Sequence, residues 1–467
     1  MFLQFIRRYD KAMKLLSALP VFLFGAVLAF GADVNIPVER YALSNGLRVV
    51  LSKDNAVPVV TVYLLYDVGA RAEEKGHTGF AHLFEHMMFE GSANAPKGTH
   101  FSTVESNGGM MNGSTHPDFT DYFEVLPSNK LATALWLESD RMRSLAITEE
   151  NLKNQKEAVK QERRLSFDNR PYATAIVDVW PNLMYGNWQS SHSLIGSFED
   201  LNSSSLEDVA RFFKTYYAPD NAVLVIVGDI QIPETRKLIE TYFADIPPQP
   251  KAKRPDLTEP AFEARTQTYK DPLARVPGVV IGYPGPKRRS PDFYAMYLVD
   301  AILTSGDSAR FRMDLVKGRE SVVQYEANLG WPFAGPRDYR DPEAYAIFVL
   351  YKPNFTGTQI VDQIQDEISK LQNAPLEAKD LDRVKALIRS TVVSGLQSSL
   401  TRAQTLAQYE IADGNPSLIN TELDALMAVT PAQVQAAASK FLSPGKRAVL
   451  EIQPAPRAAA GGPAGGN

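Results

Sequence analysis

Two stretches of this 467-residue chain repeat one another, and that duplication limits the possible fold more than any other feature. Residues 205–226 (SLEDVARFFKTYYAPDNAVLVI) and 430–452 (TPAQVQAAASKFLSPGKRAVLEI) each read as a capped helix, a proline turn and a β-branched strand. Val209 and Val434, Tyr216 and Phe441, and Pro219 and Pro444 are all 225 positions apart, and one inserted residue then brings Ala222-Val223-Leu224 onto Ala448-Val449-Leu450. A stretch carrying Pro247, Pro248, Pro250, Pro255 and Pro260 lies between the copies and reads as a linker over 247–260. The expected organisation is two homologous α+β domains, 33–246 and 261–453. In each, a mostly antiparallel sheet of short alternating strands, such as Leu47 to Ser52 and Val60 to Val68, packs against amphipathic helices.

The ends of the chain differ from this body. Arg7, Arg8, Lys11 and Lys14 precede an uncharged stretch from Leu15 to Phe30, with small residues at Ala29 and Gly31. That is the layout of a secretory signal peptide over 1–32, and the stretch, interrupted by Pro20, is short of the roughly 20 apolar residues that span a bilayer. The expectation is export to the periplasm, or secretion, without a stable membrane anchor. The last residues, 454–467, are rich in Ala, Gly and Pro and have too little to bury, so a disordered tail is expected. A formal net charge of −5 offers no basic footprint for nucleic acid.

The segment TGFAHLFEHMMFEGS (78–92) places His82, Glu85 and His86 in an H-x-x-E-H pattern. On a helix, His82 and His86 lie one turn apart on one face and can reach a single metal ion, while Glu85 can take a proton from water activated there. Phe80, Leu83, Phe84, Met87, Met88 and Phe89 surround these polar residues, so the helix must be largely buried and its ionisable groups need partners. The chain has no cysteine, so any metal is held by nitrogen and oxygen. Zinc catalysis needs a third protein ligand. A second helix, from Glu149 to about Leu165 after Thr148, carries Leu152, Gln155, Val159 and Glu162 on one stripe, which turns Glu162 inward and leaves Glu157 solvated. A glutamate so placed is either ion-paired or a metal ligand. His77, His100, His116 and His192 read as surface or loop residues.

These residues resemble the inverted-motif zinc metallopeptidases that include pitrilysin, insulin-degrading enzyme and mitochondrial processing peptidase. The resemblance rests on H-x-x-E-H, on Glu162 lying 76 residues after His86, on Glu138-Ser139-Asp140-Arg141-Met142, and on Tyr217-Ala218-Pro219-Asp220-Asn221-Ala222 before Val227-Gly228-Asp229. It implies one zinc ion per chain held by His82, His86 and Glu162, with Glu85 as general base for hydrolysis of short or unfolded peptides. It also implies paired chains that enclose a chamber. Asn112-Gly113-Ser114-Thr115 resembles the edge strand to which substrate backbone adds, which makes Asn112, Gly113 and Thr115 candidate substrate contacts; Gly113 stands where alanine is common.

Aligning Phe80-Ala81 with Tyr294-Ala295 puts Met296, Val299 and Asp300 where His82, Glu85 and His86 stand, so the second domain has no zinc motif. Family members often supply a tyrosine and an arginine seven residues before it from this domain. Tyr325 fits the tyrosine, but Gly318 stands at the other position between Lys317 and Arg319. Either Arg319 or Arg310 substitutes or another polypeptide supplies the pair, which favours a homologous zinc-free subunit as partner over a homodimer.

Overall fold

The computed structural model describes residues 34–250, 252–374 and 376–456, so the expected signal segment and most of the tail lie outside the described residues. The described residues from 35 to 456 form one compact unit built on two sheets. The first contains β1 (Glu39–Ala42), β2 (Arg48–Lys53), β3 (Val59–Tyr66), β4 (Met110–Thr115), β5 (Thr120–Pro127) and β6 (Ala222–Gly228), in the order β1-β2-β6-β3-β5-β4. The second contains β7 (Arg265–Asp271), β8 (Gly278–Tyr283), β9 (Val322–Leu329), β10 (Tyr345–Tyr351) and β11 (Ala448–Pro454), in the order β7-β11-β8-β10-β9. Apart from β1, which sequence reading missed, the two orders are the same. In each sheet the first and last strands of the repeat run parallel, β2 with β6 and β7 with β11, and every other pairing is antiparallel. The duplication and the α+β class hold. The 247–260 segment carries no helix or strand among its described residues.

One detail of the repeat needs correcting. Leu224 pairs with Leu64 and faces the helices of its own half; Val449 pairs with Ile281 and faces its own helices likewise. Leu224 and Val449 are therefore equivalent, and the offset of 225 continues without the inserted residue. A slip of one position would have turned each core side chain of the strand to the opposite face.

The strands do not alternate between core and solvent. Val60, Val62 and Leu64 face the first half's own helices, yet Tyr63 and Leu65 on the other face are equally buried, as are Val223 and Val225 of β6. The helix Ser399–Asp413 from the second half lies against β3 and β6 on that face, with Thr61 Oγ1 donating to Ser399 Oγ at 2.8 Å. The arrangement is reciprocal. Trp180, Leu183 and Met184 from the first half pack on Val280, Phe348, Leu450 and Ile452 of the second sheet. At Gly282 a Cβ would come within 2.3 Å of the Trp180 ring, so only glycine fits there. Ion pairs add to this seam: Arg71 Nη2 with Glu343 at 2.5 Å, Arg340 with Asp67 at 2.9 Å, and Arg40 with both carboxylate oxygens of Glu410.

Candidate metal centre

Helix α1 (Phe80–Met87) follows Gly79, whose left-handed backbone and close approach to the carbonyl of Ile195 both require glycine. Phe80, Leu83, Phe84 and Met87 enter the core, where the Phe84 ring stacks on Phe212 and Tyr217. Their burial fixes the rotation of the helix, which packs against the helix Glu149–Arg163 and β4, where Glu162 and Thr115 meet His82, Glu85 and His86. After α2 (Thr99–Ser106) and α3 (Leu131–Ser144), α4 (Glu149–Arg163) starts as expected on Thr148, whose hydroxyl accepts from Asn151 N at 3.2 Å. Leu152 and Val159 are buried and Glu157 is solvated, so the predicted stripe of α4 is the one that faces α1. One turn past Val159, Glu162 reaches the histidines.

Glu162 Oε2 lies 3.1 Å from His86 Nε2 and 3.7 Å from His82 Nε2, and one potential ligand atom from each residue falls within 4.8 Å of the others. Burial, and then the neighbouring His86, hold His82 down at about 4, so its imidazole is neutral with a lone pair free. Burial disfavours the charged form of His86, but the hydrogen bond and charge of Glu162 outweigh it and raise His86; the His86 hydrogen bond lowers Glu162 in turn. Two imidazole nitrogens and one carboxylate oxygen, with His86 and Glu162 partly exposed, fit a zinc ion that keeps a position for water. Glu85 stands beside them. Burial raises its carboxyl, against a hydrogen bond from Thr115 Oγ1 to Oε2 at 2.7 Å.

Thr115 ends β4, which among the described residues pairs only with β5 and leaves its other edge free. Asn112 is exposed on that edge. Gly113 packs so near the site that a Cβ would lie 3.1 Å from Glu85 Cγ and 3.0 Å from the Tyr122 ring. The expected edge strand is therefore at the site, and Thr115 has a further role, holding Glu85, that sequence reading did not assign. Tyr325 and Arg319 are not linked to the cluster. The hydroxyl of Tyr325, on β9, donates to Thr304 O at 3.2 Å at the end of the helix Pro291–Thr304, and Arg319 pairs with Asp314 and Asp366.

Of the histidines read as surface or loop residues, His100 is buried on α2 instead, while His116 and His192 lie in loops as read, with their side chains largely enclosed. His192 contacts Glu73, His116 lies against Phe119 and Ser114, and His100 contacts Glu124 beside Glu138. The last group is a second cluster of metal-ligand type among the described residues, but Arg141 fills it, bonding Glu138 through Nε at 2.9 Å and lying over the Tyr122 ring. Burial pushes Glu124 and Glu138 up to about 7 and His100 down to about 3. His192 with Glu73 and His100 with Glu124 join residues 119 and 24 positions apart, so no local pattern marks those two pairs.

Residues 48–196 match the model described as insulinase, peptidase family M16, and residues 203–388 match the one described as the M16 inactive domain. The chain is 27% identical over 375 residues to the zinc protease PqqE of Helicobacter pylori, covering 79% of this chain and 83% of that one. It is 24% identical over 420 residues to the β subunit of the mitochondrial-processing peptidase of Lentinula edodes, covering 86% and 87%. The crystal structure of a protease from Helicobacter pylori superposes with a TM-score of 0.84 at 24% identity, over 90% of this chain and all of that chain.

Proposed function

The chain belongs to peptidase family M16, and from that premise we propose that it is a zinc-dependent endopeptidase that hydrolyses short or unfolded peptides, with His82, His86 and Glu162 as ligands of one zinc ion. The observation that carries this reading is the meeting of three ligand atoms within 4.8 Å beside a carboxylate, that of Glu85, held by Thr115. When bound, zinc supplies a Lewis acid that polarises a carbonyl and makes water acidic. Glu85 then accepts the proton from the attacking water and passes it to the leaving amine. The free edge of β4 would take substrate backbone as a further strand, with Asn112, Gly113 and Thr115 along it.

The second half carries Met296, Val299 and Asp300 in place of the ligands and base, which suits the expectation of one zinc per chain and agrees with the inactive-domain description of residues 203–388. We assign it a structural role, with Tyr325 and Arg319 as substrate contacts only if a paired chain brings them across a chamber. A homologous zinc-free subunit or a second copy is the proposed partner, and the periplasm, reached through cleavage of residues 1–32, the proposed location. No helix among the described residues is long and apolar enough to cross a membrane.

The test is metal content and peptide hydrolysis of wild type and Glu85→Gln, each alone and with a partner subunit. The wild type should hold about one zinc per chain, and the variant should keep the zinc and lose hydrolysis. A wild type that takes up no zinc, or a variant that cleaves at the wild-type rate, would overturn the assignment. It would leave the alternative reading of a non-catalytic peptide-binding subunit.

A further inference from the structure

The helix that carries the metal ligands starts without a cap of its own. Gly79 has no side chain to accept from the first-turn amides, and such amides are costly to leave unpaired. Glu73, in the turn after the short helix Ala70–Ala72, fills this role from six residues upstream. Its Oε2 accepts from Gly79 N at 2.9 Å and its Oε1 from Ala81 N at 2.8 Å. The Glu73 side chain is fully enclosed and that of His192 is 6% exposed. Such a buried carboxylate needs more than two amides to offset its lost hydration.

His192 provides the rest. Its Nδ1 lies 2.9 Å from Trp188 O, and its Nε2 lies 3.0 Å from both Ala70 O and Glu73 Oε2. Both ring nitrogens face only acceptors, so both carry protons and the ring is an imidazolium, stacked on the Trp188 indole at 4.2 Å between centroids. A buried ion pair thus closes the N-terminus of α1.

The consequence falls on His82, the residue immediately after Ala81. A metal-ligating imidazole is usually oriented by an acceptor on its other ring nitrogen, but His82 Nδ1 is buried with no hydrogen-bond partner. The His86 ring, by contrast, is approached by Gln155, whose own amide is anchored on Glu90 at 2.7 Å. His82 therefore depends on its backbone for its position. We propose that Glu73 and His192 are positioning residues that hold His82 in place for the metal by clamping the first turn of α1.

This inference rests on the zinc-peptidase reading. The experiment follows zinc loss from wild type, Glu73→Gln and His192→Gln in a chelator competition, with circular dichroism for folding and with kcat and KM measured at trace and at excess zinc. Each variant should release zinc roughly 10 to 100 times more readily, the range typical for lost outer partners of metal ligands. At trace zinc kcat should fall and at excess zinc recover toward wild type, with KM little changed, a rescue that general unfolding would not allow. The double variant should be no worse than the poorer single one, because the pair acts as a unit. Wild-type zinc retention in either folded variant, or failure of both variants to fold, overturns the inference. A wild type that binds no zinc instead removes the peptidase reading, and this inference with it.

Discussion

In the alignment of Phe80-Ala81 with Tyr294-Ala295, Asp300 falls opposite His86, and it offers a clean test of how the second half is stabilised. Its Oδ1 accepts from the Tyr345 hydroxyl at 3.1 Å and from Thr304 Oγ1 at 3.2 Å. Burial pushes its carboxyl up from 3.8 to about 7, against the pull of these hydrogen bonds. A folded value above the unfolded one means that the native state favours the protonated acid. The stabilisation is complete below the unfolded value and is lost as pH rises through the folded one. By linkage the full shift is worth about 4 kcal/mol at pH 8 and under about 1 kcal/mol at pH 4, and the residue's partial access to solvent reduces the pH 8 figure to about 2 to 4 kcal/mol. Asp300→Asn keeps the shape and the carbonyl acceptor but cannot ionise. Urea unfolding of both proteins, followed by tryptophan fluorescence at pH 4, 6 and 8 and equal zinc, should show the variant's advantage growing from near zero to that figure. Other buried acids, such as Glu124 and Glu138, titrate in both proteins and cancel. A gap that does not change with pH, or a variant less stable than wild type at pH 8, would refute the reasoning.

Thr115→Val removes the 2.7 Å hydrogen bond to Glu85; a bond to a charged group is worth about 1.5 to 3 kcal/mol, so kcat should fall about tenfold or more while zinc content and KM hold, and a wild-type kcat would count against the role given to Thr115. Gly282→Ala drives a methyl group into Trp180 and should cost about 1 to 3 kcal/mol or more, read as a lowered melting temperature; unchanged melting would mean the two halves do not meet as described. Arg71→Met leaves Glu343 and Asp118 without their cation and should cost about 3 to 5 kcal/mol, part of it recovered in the double variant with Glu343→Gln; an additive double variant would argue against the pair.

The candidate metal site was legible in part because the histidine pair is local, while spacing left Glu162 open between ion pair and metal ligand until the family resemblance favoured the ligand. His82 and His86 are one helical turn apart, and the stripe from Leu152 to Glu162 announces its facing by spacing alone. The repeat was legible for a similar reason, since a helix, a proline turn and a strand each leave a short-range pattern. What sequence could not reveal depends on pairs brought together by the fold. Glu73 and His192 lie 119 residues apart, and His100 and Glu124 sit in different elements that meet under the sheet. The facing of β11 was misread because Val449 and Leu450 are both apolar. When both faces of a strand are covered, composition no longer tells inside from outside, and only the pairing of Val449 with Ile281 decides it.

The exchange of helices between the two sheets bears on what happens if the backbone is cut. Each half lends the other the cover for one apolar face, so a half made alone would carry a bare wall of Tyr63, Leu65, Val223 and Val225, or of Val280, Phe348 and Leu450. Neither half is then a soluble fragment in its own right. A protease nick between Pro247 and Pro260 would sever the connection without parting the pieces, which would stay clasped and migrate as one particle until denatured. Two fragments produced separately would need each other's presence to escape aggregation. The shortest length of this chain that can stand by itself is the interlocked pair.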